Sequence, residues 1–287
     1  MLRHNFSLRV LHKSKNGILF FNSNMMKKPL TTKIAFSIVF ISLISAFFAG
    51  ALVIGAGLSQ PDSQQKIYNL LSFVVGQSFM LLPLLYFLII KKEPIIDRLR
   101  IRAIKKDVVF YTFLLSIGVV ILSDELDRIV NIIWPAPDYI LDLNNLLQPE
   151  STLGFILLIL AIVVIAPIGE ELLFRGFLQQ ILEQSWNDTT RSILVTALVF
   201  AVIHMNAYWF IQIYFLGILL GFLAWKTKSV IPSLILHSVN NGLALTFAMT
   251  DINQYSLYIW NGHVAPWCIA LCICFATIGF KKINHIK

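Results

Sequence analysis

Between Lys33 and Phe280 the sequence is a succession of apolar runs, each close to the ~20 residues that a helix needs to cross a bilayer core. Backbone groups in hydrocarbon must pair within their own segment, so such runs read as helices. Eight are visible: Lys33–Leu58, Ile67–Ile90, Val108–Ser123, Thr152–Ile168 with a continuation to Glu183, Ser192–His204, Tyr208–Trp225, Val230–Ala248 and Val264–Phe280. The later runs are short, as expected where helices are shielded by protein and break near a site. Only 13% of residues are charged and 57% are hydrophobic, against about a quarter charged in soluble domains. The expected class is an all-α polytopic membrane protein with about eight transmembrane helices.

The net charge of +8 is informative through its placement, and no nucleic-acid partner is inferred from it. Loop 91–107 carries Lys91, Lys92, Arg98, Arg100, Arg102, Lys105 and Lys106; Lys226 and Lys228 lie in another connection; Lys281, Lys282 and Lys287 follow the last run. The alternate connections hold Lys66 and Arg128 and are otherwise acidic, with Asp124, Glu125, Asp127, Asp138, Asp142 and Glu150. That is the positive-inside pattern. It predicts an integral protein of a plasma membrane, bacterial in character, with both termini in the cytoplasm.

Four regions are expected: a basic cytoplasmic segment 1–32, readable as an extension upstream of a start at Met25 or Met26; membrane helices and loops 33–150; a core 151–250; and a last helix with a basic tail, 251–287. Pro135, Pro137 and Pro149 mark 124–150 as an external or interfacial loop with a short helix near Leu126–Trp134. No phosphate-binding glycine loop and no repeat of 20–50 residues is present, which argues against a nucleotide-driven pump. Cys268, Cys272 and Cys274 read as buried apolar thiols.

Against this apolar background three groups stand out. The run ending at Ile168 leads into Gly169-Glu170-Glu171 with Arg175 four residues on, a second run ends Phe200-x-x-x-His204, and a third contains His237-x-x-x-Asn241. Ionisable residues at membrane depth usually face an interior. With a rise of ~1.5 Å per residue, Glu171, His204 and His237 lie roughly 18, 20 and 12 Å from the basic side, so one pocket can gather them.

Glu171 and Arg175 have the offset of an intrahelical ion pair, leaving Glu170 freer to titrate. Pro167 should kink the helix just before the carboxylates, and Gly169 and Gly176 allow a neighbour close. Chemically the set suits hydrolysis: a glutamate that activates water, with histidine and asparagine on the oxyanion. It also suits zinc (Zn2+) held by Glu171, His204 and His237 with Glu170 as base. A proton or ion relay in a transporter subunit, and polar residues that only join helices, use the same residue types.

Together Glu170-Glu171-x-x-x-Arg175, Phe200-x-x-x-His204 and His237-x-x-x-Asn241 resemble the three-motif signature of the CPBP (CAAX protease and bacteriocin-processing, or Abi) intramembrane proteases. The resemblance covers roughly residues 150–250. It implies a helical fold around a conical, cytoplasm-facing intramembrane cavity and hydrolysis of a peptide bond in a membrane-associated peptide or protein, as in bacteriocin maturation, self-immunity or regulator processing. Carried over by position, Glu170 is the general base, Glu171 and Arg175 complete its motif, His204 positions water or a metal, and His237 with Asn241 stabilises the oxyanion or binds a metal. Such enzymes are described both as zinc metalloproteases and as metal-free glutamate proteases. A non-catalytic scaffold or immunity protein of the same fold is the bland counterpart.

Overall fold

The computed structural model describes residues 30–138, 140, 149–250 and 252–285. Most of the expected basic segment 1–32 therefore lies outside the described residues, as do Asp142 and Lys287. Helix α1 (Thr32–Gly57) starts at Thr31, whose hydroxyl accepts from Ile34 N. Helices α2 (Asp62–Met80) and α3 (Leu82–Ile90) form one apolar rod broken at Leu81, where Pro83 begins the second piece. A short α4 (Ile95–Arg98) precedes α5 (Lys106–Ile133). Next comes the 35-residue α6 (Thr152–Trp186), capped by Ser151. It is followed by α7 (Thr189–Ile203), capped by Asp188, and then by α8 (Phe210–Thr227), α9 (Ile231–Met249) and α10 (Pro266–Asn284).

All eight apolar runs are helical. Among the described residues six helical segments are long and apolar enough to cross a membrane: α1, the α2–α3 rod, α5, α6, α8 and α10. Helix α7 is shorter, with 15 residues, and α9 is diluted by His237, Asn240 and Asn241. Large apolar side chains such as Phe40, Phe48 and Leu52 on α1 stay exposed, which is stable only against lipid tails.

One boundary differs from expectation. Helix α5 continues without a break from Lys106 through Ile133, so the short helix expected near Leu126–Trp134 is the end of α5 rather than a separate element within a loop. Arg128 Nε donates to Asp124 Oδ2 at 3.0 Å, four residues back on the same face, and the helix stops only when Pro135 approaches.

Helix α6 is the centre of the molecule. Leu173, Phe174, Phe177, Leu178, Ile181 and Leu182 pack against Ala35, Val39, Leu84, Leu88, Leu99 and Phe200 in one buried cluster. The connection after α3 tucks under α6 at Gly176, where a Cβ would sit 2.7 Å from Leu99 O. Buried Arg100 pairs with Glu183 and donates to Arg175 O at 3.5 Å. Val230 N donates to Arg100 O at 3.0 Å and the Ser229 hydroxyl to Arg102 O at 2.6 Å, so the basic connections are sewn to one another. At the opposite end, Ile259–Trp260 and His263–Val264 form a two-stranded hairpin. Its Asn261-Gly262 turn has both φ values positive, as such tight hairpins require.

Candidate active site

The site is assembled from α6, α7 and α9. Glu171 is 1% exposed and Arg175 is fully buried, and they pair at 2.9 Å between Oε1 and Nη1. Arg175 Nη2 also donates to Gly217 O at 3.2 Å, and its guanidinium lies 4.0 Å from the centre of the Phe200 ring. The same Glu171 Oε1 meets His237 Nδ1 at 2.8 Å. A carboxylate can only accept, so Nδ1 carries the proton and the ring turns Nε2 outward.

Nε2 of His237 lies 3.8 Å from Glu170 Oε2, and Nε2 of His204 lies 4.0 Å from the same oxygen. His204 is oriented in the same manner: its Nδ1 donates to Phe200 O at 2.6 Å, which leaves Nε2 bare. Phe200 is edge-on to both imidazoles, with centroid separations of 4.7 Å to His204 and 5.7 Å to His237. Glu170 is 8% exposed, and its Oε2 has no hydrogen-bond partner within the protein. Three acceptors thus face one small volume, and a buried carboxylate oxygen without a donor calls for water or a ligand between them.

The helix that carries both glutamates is not regular. Residues Leu160–Ile165 and Glu171–Leu178 are wound as π-helix, with Ala166–Glu170 α-helical between them. In the wider register Ala166 N donates to Ala161 O. The next carbonyl, Ile162 O, would take its bond from residue 167, which is proline and has no N–H. Asn241 Nδ2 of α9 fills that place at 3.0 Å, while Asn241 Oδ1 accepts from Asn240 Nδ2 at 3.2 Å. Asn241 is therefore close to the site, with one amide hydrogen committed to the helix backbone.

The expected metal set does not converge. Glu171 Oε1 is already shared by Arg175 and His237 Nδ1, and His204 points at Glu170. Among the described residues no three His, Cys, Asp or Glu side chains are arranged to hold a metal ion.

Glu170, His204, His237 and Asn241 line a cavity of about 410 Å3. From them it runs along the C-terminal half of α5, the start of α8 and the end of α9, past Asp124, Asp127, Gln212 and Phe247. A second hollow continues it to Asn131, Ala136, Ile140 and Ile252. The cavity was expected to face the cytoplasmic, basic side. Beyond the motif residues its lining lies toward the end away from the basic connections, and Leu99 and the Arg100–Glu183 pair pack behind Gly176 and Arg175.

Sequence reasoning missed the α5 wall. Val120, Ser123, Asp124 and Asp127 all line the cavity, at the i, i+3, i+4, i+7 spacing of one helical face. That signal is legible once α5 is allowed to run on. Asp127 Oδ1 accepts from Trp209 Nε1 at 3.3 Å and Gln212 Nε2 at 3.2 Å. Asp124 accepts from Arg128 and, at 2.8 Å, from the Tyr258 hydroxyl. Burial, and then the Asp124 charge, push the Tyr258 phenol above its ordinary range, which keeps it a donor.

Residues 152–243 match a family model described as type II CAAX prenyl endopeptidase, Rce1-like. The match runs from the start of α6 into α9 and contains all six motif residues. It agrees with the family read from those motifs, and it indicates a CAAX-protease type of hydrolase in an integral membrane protein. Neither a curated protein nor a solved structure matches the chain significantly.

Proposed function

We propose that the protein is an intramembrane endopeptidase that hydrolyses a peptide bond of a membrane-associated peptide or protein with Glu170 as the general base. The observation that carries this reading is the unpartnered Glu170 Oε2, set 3.8 and 4.0 Å from two bare imidazole nitrogens in a cavity. A water held there gives a proton to Glu170 as its oxygen attacks the carbonyl carbon. His204 Nε2 accepts the second hydrogen and aims the water. His237 flanks that water with its Nδ1 held by Glu171, in the orienting place of a triad carboxylate, and the second amide hydrogen of Asn241 is left to donate to the carbonyl oxygen as it becomes tetrahedral. Glu170 then returns the proton to the leaving nitrogen as the C–N bond breaks.

A proton or ion pathway would need a second opening behind Glu170, and that space is filled by Arg175, Leu99 and the Arg100–Glu183 pair. Bacteriocin maturation, self-immunity or regulator processing would supply a substrate of this class.

The test is Glu170→Gln. The amide keeps the shape and cannot accept the proton, so cleavage of a membrane-tethered reporter peptide should fall by at least the ~10²–10⁴-fold that general-base catalysis contributes, with expression and thermal unfolding unchanged. Undiminished cleavage removes Glu170 from the base role. Metal content of the purified enzyme, with turnover followed through chelation, checks the metal-free form: loss of activity on chelation and recovery with zinc would overturn it.

A further inference from the structure

We infer that the cavity is entered from the non-cytoplasmic face of the membrane, so that its substrates are peptide segments exposed on that side. This deepens the endopeptidase reading and rests on it for the nature of the substrate. The location of the entrance stands on independent observations.

The first is the placement of the cavity along its helices. On α5 the lining residues are Val120, Ser123, Asp124 and Asp127, in the second half of a helix that begins at Lys106. On α8 they begin at Trp209, beside the N-terminus, and on α9 they extend to Phe247, near the C-terminus. These three helix ends lie on one side of the molecule. The second hollow leads further in the same direction to Ala136 and Ile252.

The second observation is the seal at the other end. Gly176 meets the Leu99 backbone, Arg100 is buried against Glu183 and Arg175 O, and Gln179 Nε2 donates to Glu183 at 2.9 Å and to Gly221 O at 2.9 Å. None of the residues that make these contacts lines the cavity.

The third is charge. The sealed end carries the connections with Lys91, Lys92, Arg98, Arg100, Arg102, Lys105, Lys226, Lys228, Lys281 and Lys282, whereas the open end carries Lys66 and Arg128 beside Asp124, Glu125, Asp127, Asp138 and Glu150. Short basic connections remain in the cytoplasm, which puts the acidic, open end outside. A peptide still inside the cell has no route to Glu170, whereas an exported peptide or the outer flank of a membrane-anchored protein does.

Cysteine accessibility tests this on the full-length protein. Cys268, Cys272 and Cys274 are first replaced by alanine, and thermal unfolding confirms that this background and each reporter fold. Lys105→Cys, at the start of α5, and Ala136→Cys, just past its end, report the two faces; Gln212→Cys reports the cavity. In intact bacterial cells a membrane-impermeant maleimide should label Ala136→Cys and Gln212→Cys, and should label Lys105→Cys only after permeabilisation. Labelling of Lys105→Cys in intact cells reverses the orientation and overturns the inference. So does labelling of Gln212→Cys only after permeabilisation, or from neither side. These readouts need no catalysis. If they hold while Glu170→Gln still cleaves the reporter, the endopeptidase reading fails and the outward entrance stands.

Discussion

Glu170 and Glu171 are adjacent in sequence and differ sharply in their surroundings. Oε2 of each is without a hydrogen-bond partner within the protein, but Glu171 is tied through Oε1 to both Arg175 and His237, while Glu170 Oε2 faces the two imidazoles in the cavity. Removing charge from Glu171 strands a fully buried guanidinium. Breaking a buried pair typically costs roughly 3–5 kcal/mol, so Glu171→Gln should unfold in detergent at clearly lower temperature than wild type, while Glu170→Gln should not. Equal melting of the two variants would mean that Glu171 is not structurally committed. The Glu171–Arg175 offset made their pairing readable from sequence. The second partner, His237, lies 66 residues away, and nothing local to either residue indicates that bond. The contact between those two residues, rather than their identity, was the hidden part of the site.

At the scale of the element, α6 departs from a regular helix where the chemistry sits, as π-helical segments often do. Pro167 announced a distortion in the sequence. Its form was not legible, because the π register is completed by a side chain from another helix, Asn241 on the Ile162 carbonyl. Asn241→Ala should leave that carbonyl unsatisfied at a cost of ~1–3 kcal/mol and lower both thermal stability and turnover. In a Pro167→Ala background residue 167 regains an N–H that can reach Ile162 O, so the penalty of Asn241→Ala should shrink. A double-mutant cycle on melting temperature and kcat measures this coupling. Strict additivity in both readouts would mean that Asn241 acts only through its second amide hydrogen, on the oxyanion. The run-on of α5 was hidden for a related reason. Asp124, Glu125 and Asp127 looked like loop charges, yet each is satisfied on the helix by a residue distant in sequence: Tyr258, His263 and Trp209.

At the scale of the whole molecule, the helical runs and the one-sided charge were plain in the sequence, since both follow from what hydrocarbon and the cytoplasmic face tolerate. Which end of the bundle is closed was not. Estimates of depth along each helix brought Glu171, His204 and His237 to similar levels without saying what lay above or below them. The deciding residue was Arg100, one of seven basic residues in a segment that reads as solvated, yet it is 4% exposed beneath α6. If the Arg100–Glu183 pair is a plug behind the reacting groups, its role is packing and charge balance rather than chemistry. Arg100→Ala should then lower thermal stability by roughly the 3–5 kcal/mol of a broken buried pair. Replacing both partners by apolar residues of similar size, Arg100→Met with Glu183→Leu, should recover most of that loss, because burying two charges is itself costly. Turnover per folded molecule should stay close to wild type in the double variant, since neither side chain lines the cavity. A double variant that is stable yet catalytically impaired would place Arg100 in the machinery that positions Arg175 and, through it, Glu171 and His237.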